Sequence, residues 1–309
     1  MSARQDVGCD QDVMILRQTT PLRYPGGKQR LSPFMAEVIE CNGLVGGHYA
    51  EPYAGGAGVA TDLLLNGVVS HIHLNDSSRC IFAFWHSLLT NAESLCRRIS
   101  TASLSIEDWK RHREVVRHPE DHDLLELGFS TFYLNRCNRS GVLTAGVIGG
   151  LSQTGRWRID ARFPRNELIR RIEAIAEVRE RVSATNLDAE LFMSDHASAH
   201  LPSETFVYCD PPYYERAQRL YLDSYKKGDH ARLARFIQAE MNWKWAVSYD
   251  AHEDIVALYQ GRRHFVYDLQ YSATRVCKGR EVFIFADEVV LPKRSTVTTV
   301  DCALSAVLS

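Results

Sequence analysis

The stretch from Thr205 to Tyr214, TFVYCDPPYY, closes an apolar, strand-forming run with an acid, two prolines and two aromatic rings. A strand ending here puts Asp210 at its carboxyl edge, where doubly wound sheets bind ligands. Pro211 and Pro212 cannot extend the ladder, so they stop the strand and stiffen the turn. A stiff turn fixes the Pro211 carbonyl as an outward acceptor. Asp210 and that carbonyl together could hold the two hydrogens of an exocyclic amino group and aim its lone pair at an electrophile. Tyr213 adds a flat face on which a base could stack after leaving its helix. A conjugated amine is a poor nucleophile, so these residues suit methylation by positioning and proton removal. Any one of the four is equally a proline turn with a capping acid, but that reading does not explain all four at a ligand edge.

A second group lies in EPYAGGAG, Glu51 to Gly58, after another predicted strand. Its glycines allow a backbone to approach a ligand closely. It has neither the Gly-x-Gly-x-x-Gly order nor a Gly-Lys-Ser/Thr, which disfavours a dinucleotide or a triphosphate. Asp76, ending HIHLND, is placed to accept from ribose hydroxyls, or equally to cap the next helix. Loop and acid together imply a nucleoside-bearing cofactor without a required pyrophosphate. His71 and His73 share one face of their predicted strand with no third ligand spaced to join them, so no metal is expected. His112, His118 and His122 fall in a charged segment read as exposed. Cys209 points away from the Asp210 side and reads as a packing thiol.

These residues need a frame. Apolar runs at HYAE, VSHIHLND, AELFMSD, TFVYCD, WKWAVSYD, HFVYDLQY and EVFIFAD alternate with helical segments. The pattern predicts an α/β fold, a doubly wound, seven-stranded, mostly parallel sheet. SATRVCKGR is too short for a crossover helix, so the last two strands should form an antiparallel hairpin. Between the second and third strands, residues 105–165 give two amphipathic helices, then a Gly/Ser/Thr-rich stretch read as a loop and hairpin. The expected plan is a flexible tail over 1–19, a catalytic domain of 20–104 and 166–292, an inserted domain of 105–165, and a C-terminal tail over 293–309.

Composition sets the outer limits. The 309 residues are 45% hydrophobic with a net charge of −2, which excludes a histone-like basic binder but allows a local basic face. No apolar run reaches the ~20 residues of a membrane span, and no secretory signal opens the chain, so no membrane and a cytoplasmic setting are expected. The eight cysteines form no Cys-x-x-Cys pair and read as reduced thiols. From Leu134 to Arg171 eight arginines face only Asp160 and Glu167, a local balance of 8 − 2 = +6. That concentration fits a phosphate-contacting surface. Arg136, Arg139, Arg156 and Arg158 are its candidates, with Arg170 and Arg171 assigned to a solvated helix face. Arg275, Lys278 and Arg280 in the last hairpin are further phosphate candidates.

The segments PLRYPGGKQRL, AEPYAGGAG, HLND, FMSD and YCDPPYY, in that order, resemble the Dam-type, alpha-class DNA adenine methyltransferases. The resemblance implies S-adenosylmethionine as cofactor and the 6-amino group of an adenine flipped out of double-stranded DNA as target. It places Tyr24 and Lys28 at the cofactor's methionine end. Glu51, Pro52, Tyr53, Gly55 and Gly56 fall in its loop, Asp76 at its ribose and Asp195 at its adenine amino group. Asp210, Pro211, Pro212 and Tyr213 match the catalytic tetrad, with Asp210 also bordering the cofactor. The insertion departs from the family: Ser140-Gly141 replaces the common Asn-Gly, and Val142-Leu143-Thr144 stands where an arginine-bearing stretch is expected. The chemistry therefore carries over and a GATC target does not. An RNA adenine methyltransferase and a catalytically silent DNA-binding regulator remain alternatives, and a monomer is the expected state.

Overall fold

A computed structural model describes residues 18–23, 28–196, 201, 203–214, 225–272, 276–298 and 300. Tyr24 and Arg275 lie outside the described residues, as do the side chains of Asp195 and Lys278. The strands are β1 (His48–Glu51), β2 (His71–Asn75), β3 (Val182–Thr185), β4 (Thr205–Cys209), β5 (Lys244–Asp250), β6 (His264–Ser272) and β7 (Val276–Phe285). They form one sheet in the order β3-β2-β1-β4-β5-β7-β6. β1 pairs in parallel with both β2 and β4, with Ala50 opposite His73 on one side and Val207 on the other. The chain reverses its direction of winding between β1 and β4, and the carboxyl ends of those two strands flank the crevice so made. β7 runs antiparallel to β5 and β6, as the short connection requires.

One predicted strand is displaced. β3 is VSAT, Val182 to Thr185, whereas AELFMSD is helical: α7 (Ala189–Leu191) runs into a π-helical turn, Phe192–His196. Ala, Glu, Leu and Met favour a helix, and Asp188 caps it by accepting from the amides of Glu190 and Leu191. VSAT lies at the sheet edge and is only partly buried, so it carries too little apolar signal to separate from the preceding helix.

The helices before the sheet's second half are α1 (Ser32–Cys41), α2 (Gly58–Leu65), α3 (Arg79–Thr101), α4 (Ile106–Arg117), α5 (Leu124–Cys137) and α6 (Arg165–Ala176). Ser105 and Asp123 cap α4 and α5 by accepting from the amides of Asp108 and Glu126. α5 lies flush on α3: a Cβ on Gly128 would stand 2.5 Å from the Ala83 carbonyl oxygen. Phe132 stacks on Phe84 at 5.8 Å and meets Phe163 edge-on at 5.6 Å, which continues the core from the sheet into the inserted segment. The predicted hairpin is replaced by turns, with one isolated bridge between Asn138 and Val147. Beyond β4 come α8 (Lys227–Glu240) and α9 (Glu253–Leu258).

Residues at both nominal tails are packed. The Thr19 hydroxyl lies 3.0 Å from that of Thr61, and the Thr296 amide donates to Glu37 Oε1 at 2.7 Å. Val300 is fully buried. Among the described residues no helix is long and apolar enough to cross a membrane. His48, on the neighbouring β1, joins the two histidines of β2: its ring lies 4.5 Å from that of His71, and its Nδ1 is 2.8 Å from His73 Nε2. His112, expected to be exposed, is buried against Ser130 and Tyr133, and burial pulls its pKa down to about 4.

Candidate active site

All five residues of β4 are buried, which carries the chain to the crevice and leaves Asp210 as the first partly exposed group. Its side chain retains 27% of its accessible surface. Lys28, in a 3-10 turn (Lys28–Leu31) ahead of α1, brings Nζ to 2.9 Å from Asp210 Oδ1. Ser248, in the middle of β5, donates to the same oxygen at 2.7 Å. Since that serine has spent its only proton, the Tyr208 hydroxyl 2.7 Å away must donate to Ser248 Oγ. Among the described residues no donor reaches Asp210 Oδ2. Burial holds the Asp210 carboxyl above the ordinary range, against the Lys28 ammonium, which pulls it down.

Lys28 has a second acid partner that the sequence reading missed. Glu281, on β7 and fully buried, brings Oε2 to 2.9 Å from Lys28 Nζ. It also accepts from the Tyr213 hydroxyl at 2.9 Å and the Tyr267 hydroxyl at 2.6 Å. Burial opposes the Lys28 charge, but Asp210 and Glu281 outweigh it and hold the ammonium well above its usual range. The available signal was the acid opening EVFIFAD: a carboxylate in an apolar, double-sided strand must find a partner inside.

Tyr213 departs from its expected posture. The ring is 2% exposed, with Lys28 Nζ 5.3 Å from its centroid, so it presents no open stacking face in this arrangement. Tyr214 is half-buried beside it; its amide donates to Asp250 Oδ1 at 2.8 Å and its ring meets that of His252 at 4.7 Å. Cys209 is buried as expected, its sulfur 3.8 Å from that of Met193, and burial pushes its thiol up.

The glycine loop stands at the carboxyl end of β1. Gly55 has φ +46°, a left-handed conformation that glycine adopts freely. Its amide donates to Asp76 Oδ2 at 2.9 Å, and the Ser78 amide donates to Oδ1 at 2.9 Å. Asp76 thus ties the loop to the turn ahead of α3; the N-cap of that helix is Ser78, two residues on, so Asp76 holds the turn and is not the helix cap. Asn75, fully buried, donates to the carbonyls of Pro52 and Leu187 at 3.0 Å each, joining β1's loop to the segment after β3. The Tyr53 hydroxyl lies 2.9 Å from that of Tyr225. Glu51 is buried and accepts from the Ala60 amide in α2 at 3.1 Å. The polar groups fit a zwitterion on a ribose: an ammonium at Lys28, a carboxylate at Asp76, the Glu51 carboxyl, and glycine backbone between them.

Burial pushes the Glu51 carboxyl from 4.5 up to about 8, the Asp210 charge adding to the effect. A folded-state pKa above the ordinary value means that the native state favours the proton. Ionised Glu51 therefore weakens the fold progressively as pH rises from about 4.5 towards about 8, by about 1.4 kcal/mol per pH unit. Glu51→Gln is expected to melt above wild type at pH 8 and to lose that advantage at pH 5. Calorimetry on the cofactor-free proteins checks it, and the same displacement at both pH values would refute it.

The arginines divide. Arg136 is buried: its Nε donates to the Arg162 carbonyl at 2.7 Å and its Nη1 to that of Pro21 at 3.4 Å, so it is a structural residue and not a DNA contact. Arg171, assigned to a solvated face, is also buried and donates to the Thr20 carbonyl at 3.1 Å. Arg165 donates to the Ala102 carbonyl at 2.6 Å and closes the end of α3. Arg139, Arg156 and Arg158 are exposed, as is Arg280 on β7. The Arg156 guanidinium lies 5.2 Å from the ring centroid of Trp157, itself 62% exposed.

No curated protein matches the chain. Two solved structures of the rRNA methyltransferase aviRa from Streptomyces viridochromogenes each align over 86% of this chain and 88% of that one. Both are 14% identical, with TM-scores of 0.39 and 0.37. The model of the D12 class N6 adenine-specific DNA methyltransferases matches residues 24–274, a span that holds Lys28, the glycine loop, Asp76 and Asp210 at its crevice. The chain is thus a methyltransferase and belongs to the D12 class N6 adenine-specific DNA methyltransferase family.

Proposed function

We propose that the protein methylates the 6-amino group of an adenine flipped out of duplex DNA, with S-adenosylmethionine as cofactor. The observation that carries this reading is the state of Asp210: its side chain keeps 27% of its accessible surface, both donors among the described residues converge on Oδ1, and none of the described residues donates to Oδ2. Oδ2 accepts one amine hydrogen and the Pro211 carbonyl the other, which turns the nitrogen lone pair away from the ring. Asp210 takes the proton that the amine loses. S-adenosylmethionine, when bound, supplies an electrophilic methyl group on a positively charged sulfur. Tyr24, Lys28, Glu51, Pro52, Tyr53, Gly55, Gly56, Asp76 and Asp195 hold it, and Tyr213 borders the place of the flipped base.

Residues 105–165 act as the target-recognition unit. Arg139, Arg156 and Arg158 are exposed there beside Trp157 and Leu151, which are 62% and 63% exposed, giving charge for phosphates and flat or apolar surface for bases. The test incubates the protein with methyl-labelled S-adenosylmethionine and either mixed-sequence duplex DNA or structured RNA. Label in DNA adenine is expected. Label confined to RNA would move the substrate to RNA, and binding of duplex without label in either would leave a silent DNA-binding protein.

A further inference from the structure

We infer that Glu281 is a positioning residue for methyl transfer, the fixed partner that keeps Lys28 and Tyr213 in place when Asp210 engages the target amine. The inference rests on the adenine-methylation reading of the same site. Glu281 also lies outside the residues matched to the family, which end at 274.

The geometry makes the case. Lys28 Nζ stands 2.9 Å from Asp210 Oδ1 and 2.9 Å from Glu281 Oε2, so one ammonium bridges two carboxylates. Asp210 is at the crevice edge, and Glu281 is fully buried. When an amine hydrogen enters at Asp210, the carboxylate shares its charge with a new donor and its hold on Lys28 weakens. A lysine with no second partner would then be a buried charge without a counter-ion, which is strongly unfavourable. Glu281 removes that penalty in advance and has the lone pairs to do so while accepting from two tyrosines.

Those tyrosines fix Glu281 itself. Tyr267 is its register partner on β6 and donates to Oε2 at 2.6 Å; Tyr213, the last member of the tetrad, donates to Oε1 at 2.9 Å. The catalytic tyrosine is thus anchored through its hydroxyl to the far strand, and the Pro211-Pro212 turn is held from both ends. Lys28 Nζ is also 3.4 Å from the Tyr213 hydroxyl. Among the described residues, the groups facing this carboxylate include Lys28, Tyr213 and Tyr267, with Asp210 and Tyr208 beyond Lys28, and Asp250 is its register partner on β5. With Lys28 charged and both acids ionised the trio carries one net negative charge, which favours the positive charge that develops as an amine is alkylated.

Glu281→Gln separates this role from simple packing. Removing the charge takes away an influence that raises both Asp210 and Lys28, so both titrations move to lower pH. The acid limb of the kcat profile for methyl transfer to duplex DNA is expected to fall by roughly one pH unit. kcat at the optimum should fall roughly 10- to 100-fold with DNA affinity unchanged. In the cofactor-free protein, carbon-13 NMR of labelled lysine should show Lys28 losing its proton at a lower pH than in wild type. Glu281→Asp, which keeps the charge one methylene back, is expected to leave the limb in place while kcat falls. A Gln variant with wild-type kcat, or one with reduced kcat and an unmoved limb, overturns the role. If the Gln variant does not fold, an Asp variant with wild-type kcat overturns it equally. Wild type that labels no adenine would instead sink the adenine-methylation reading itself.

Discussion

Asp210→Asn is expected to lower the single-turnover rate of methyl transfer by roughly a thousand-fold or more, while leaving duplex binding and the fold intact. The asparagine carbonyl still accepts from Lys28 and Ser248 in the place of Oδ1, 2.9 and 2.7 Å from its donors in wild type, so the site keeps its shape. What disappears is the charge on the oxygen that meets the amine. An amide nitrogen there is a donor facing a donor, so the amine loses both its acceptor and its route for the departing proton. Loss of a positioned acid–base group costs roughly 10²–10⁴ in rate, and loss of an aligned hydrogen bond to developing charge roughly 10²–10³. The stability effect should run the opposite way. Burial raises the Asp210 carboxyl above its ordinary value, so holding it ionised costs the native state free energy at neutral pH. Asp210→Asn is therefore expected to melt no lower than wild type at pH 8. A variant that transfers methyl at more than a tenth of the wild-type rate would remove Asp210 from the chemistry. One that melts much lower would make it a structural residue first.

The sequence exposes the parts of this site that depend on local rules. TFVYC followed by Asp-Pro-Pro states a buried strand, its end and an acid at that end, and the parallel pairing of β4 with β1 puts the glycine loop next to it. Asp76 was legible for the same reason, since a strand's carboxyl end fixes where its last residue lies. Glu281 was not, because its role depends on Lys28 arriving from 253 residues away along the chain (281 − 28), and no local pattern reports that meeting. The displaced β3 shows the limit on elements: four small, partly polar residues at a sheet edge look like the end of a helix. The inserted segment shows it on surfaces. Its helices follow from capping and periodicity, but the turns from 142 to 163 are fixed by contacts such as Arg136 to the Arg162 carbonyl. Whether an arginine faces solvent or the core is decided by those contacts.

Arg136 and Arg156 look alike in the sequence and should behave as opposites. Arg136→Ala removes charged donors from the carbonyls of Arg162 and Pro21 and leaves a cavity where its stem packed between α5 and the returning chain. Hydrogen bonds to a charged group contribute about 1.5–3 kcal/mol each. Burial, with the charges of Arg23 and Arg171 behind it, pulls the Arg136 guanidinium down to about 9, so deleting it also relieves a cost. The orphaned carbonyls and lost packing outweigh that relief, and a net loss of about 2 kcal/mol in urea unfolding is expected. At temperatures where the variant stays folded, its duplex affinity should fall with salt as steeply as that of wild type. Arg156 is exposed on the ring of Trp157, so Arg156→Ala should change stability by no more than about 0.5 kcal/mol. It should instead flatten the dependence of log K on log salt by roughly 0.9, the contribution of one phosphate contact. Urea titrations and salt-dependent binding isotherms on both variants separate the two roles. If Arg136→Ala flattened the salt dependence while Arg156→Ala did not, the basic face would have to be redrawn around the buried arginine.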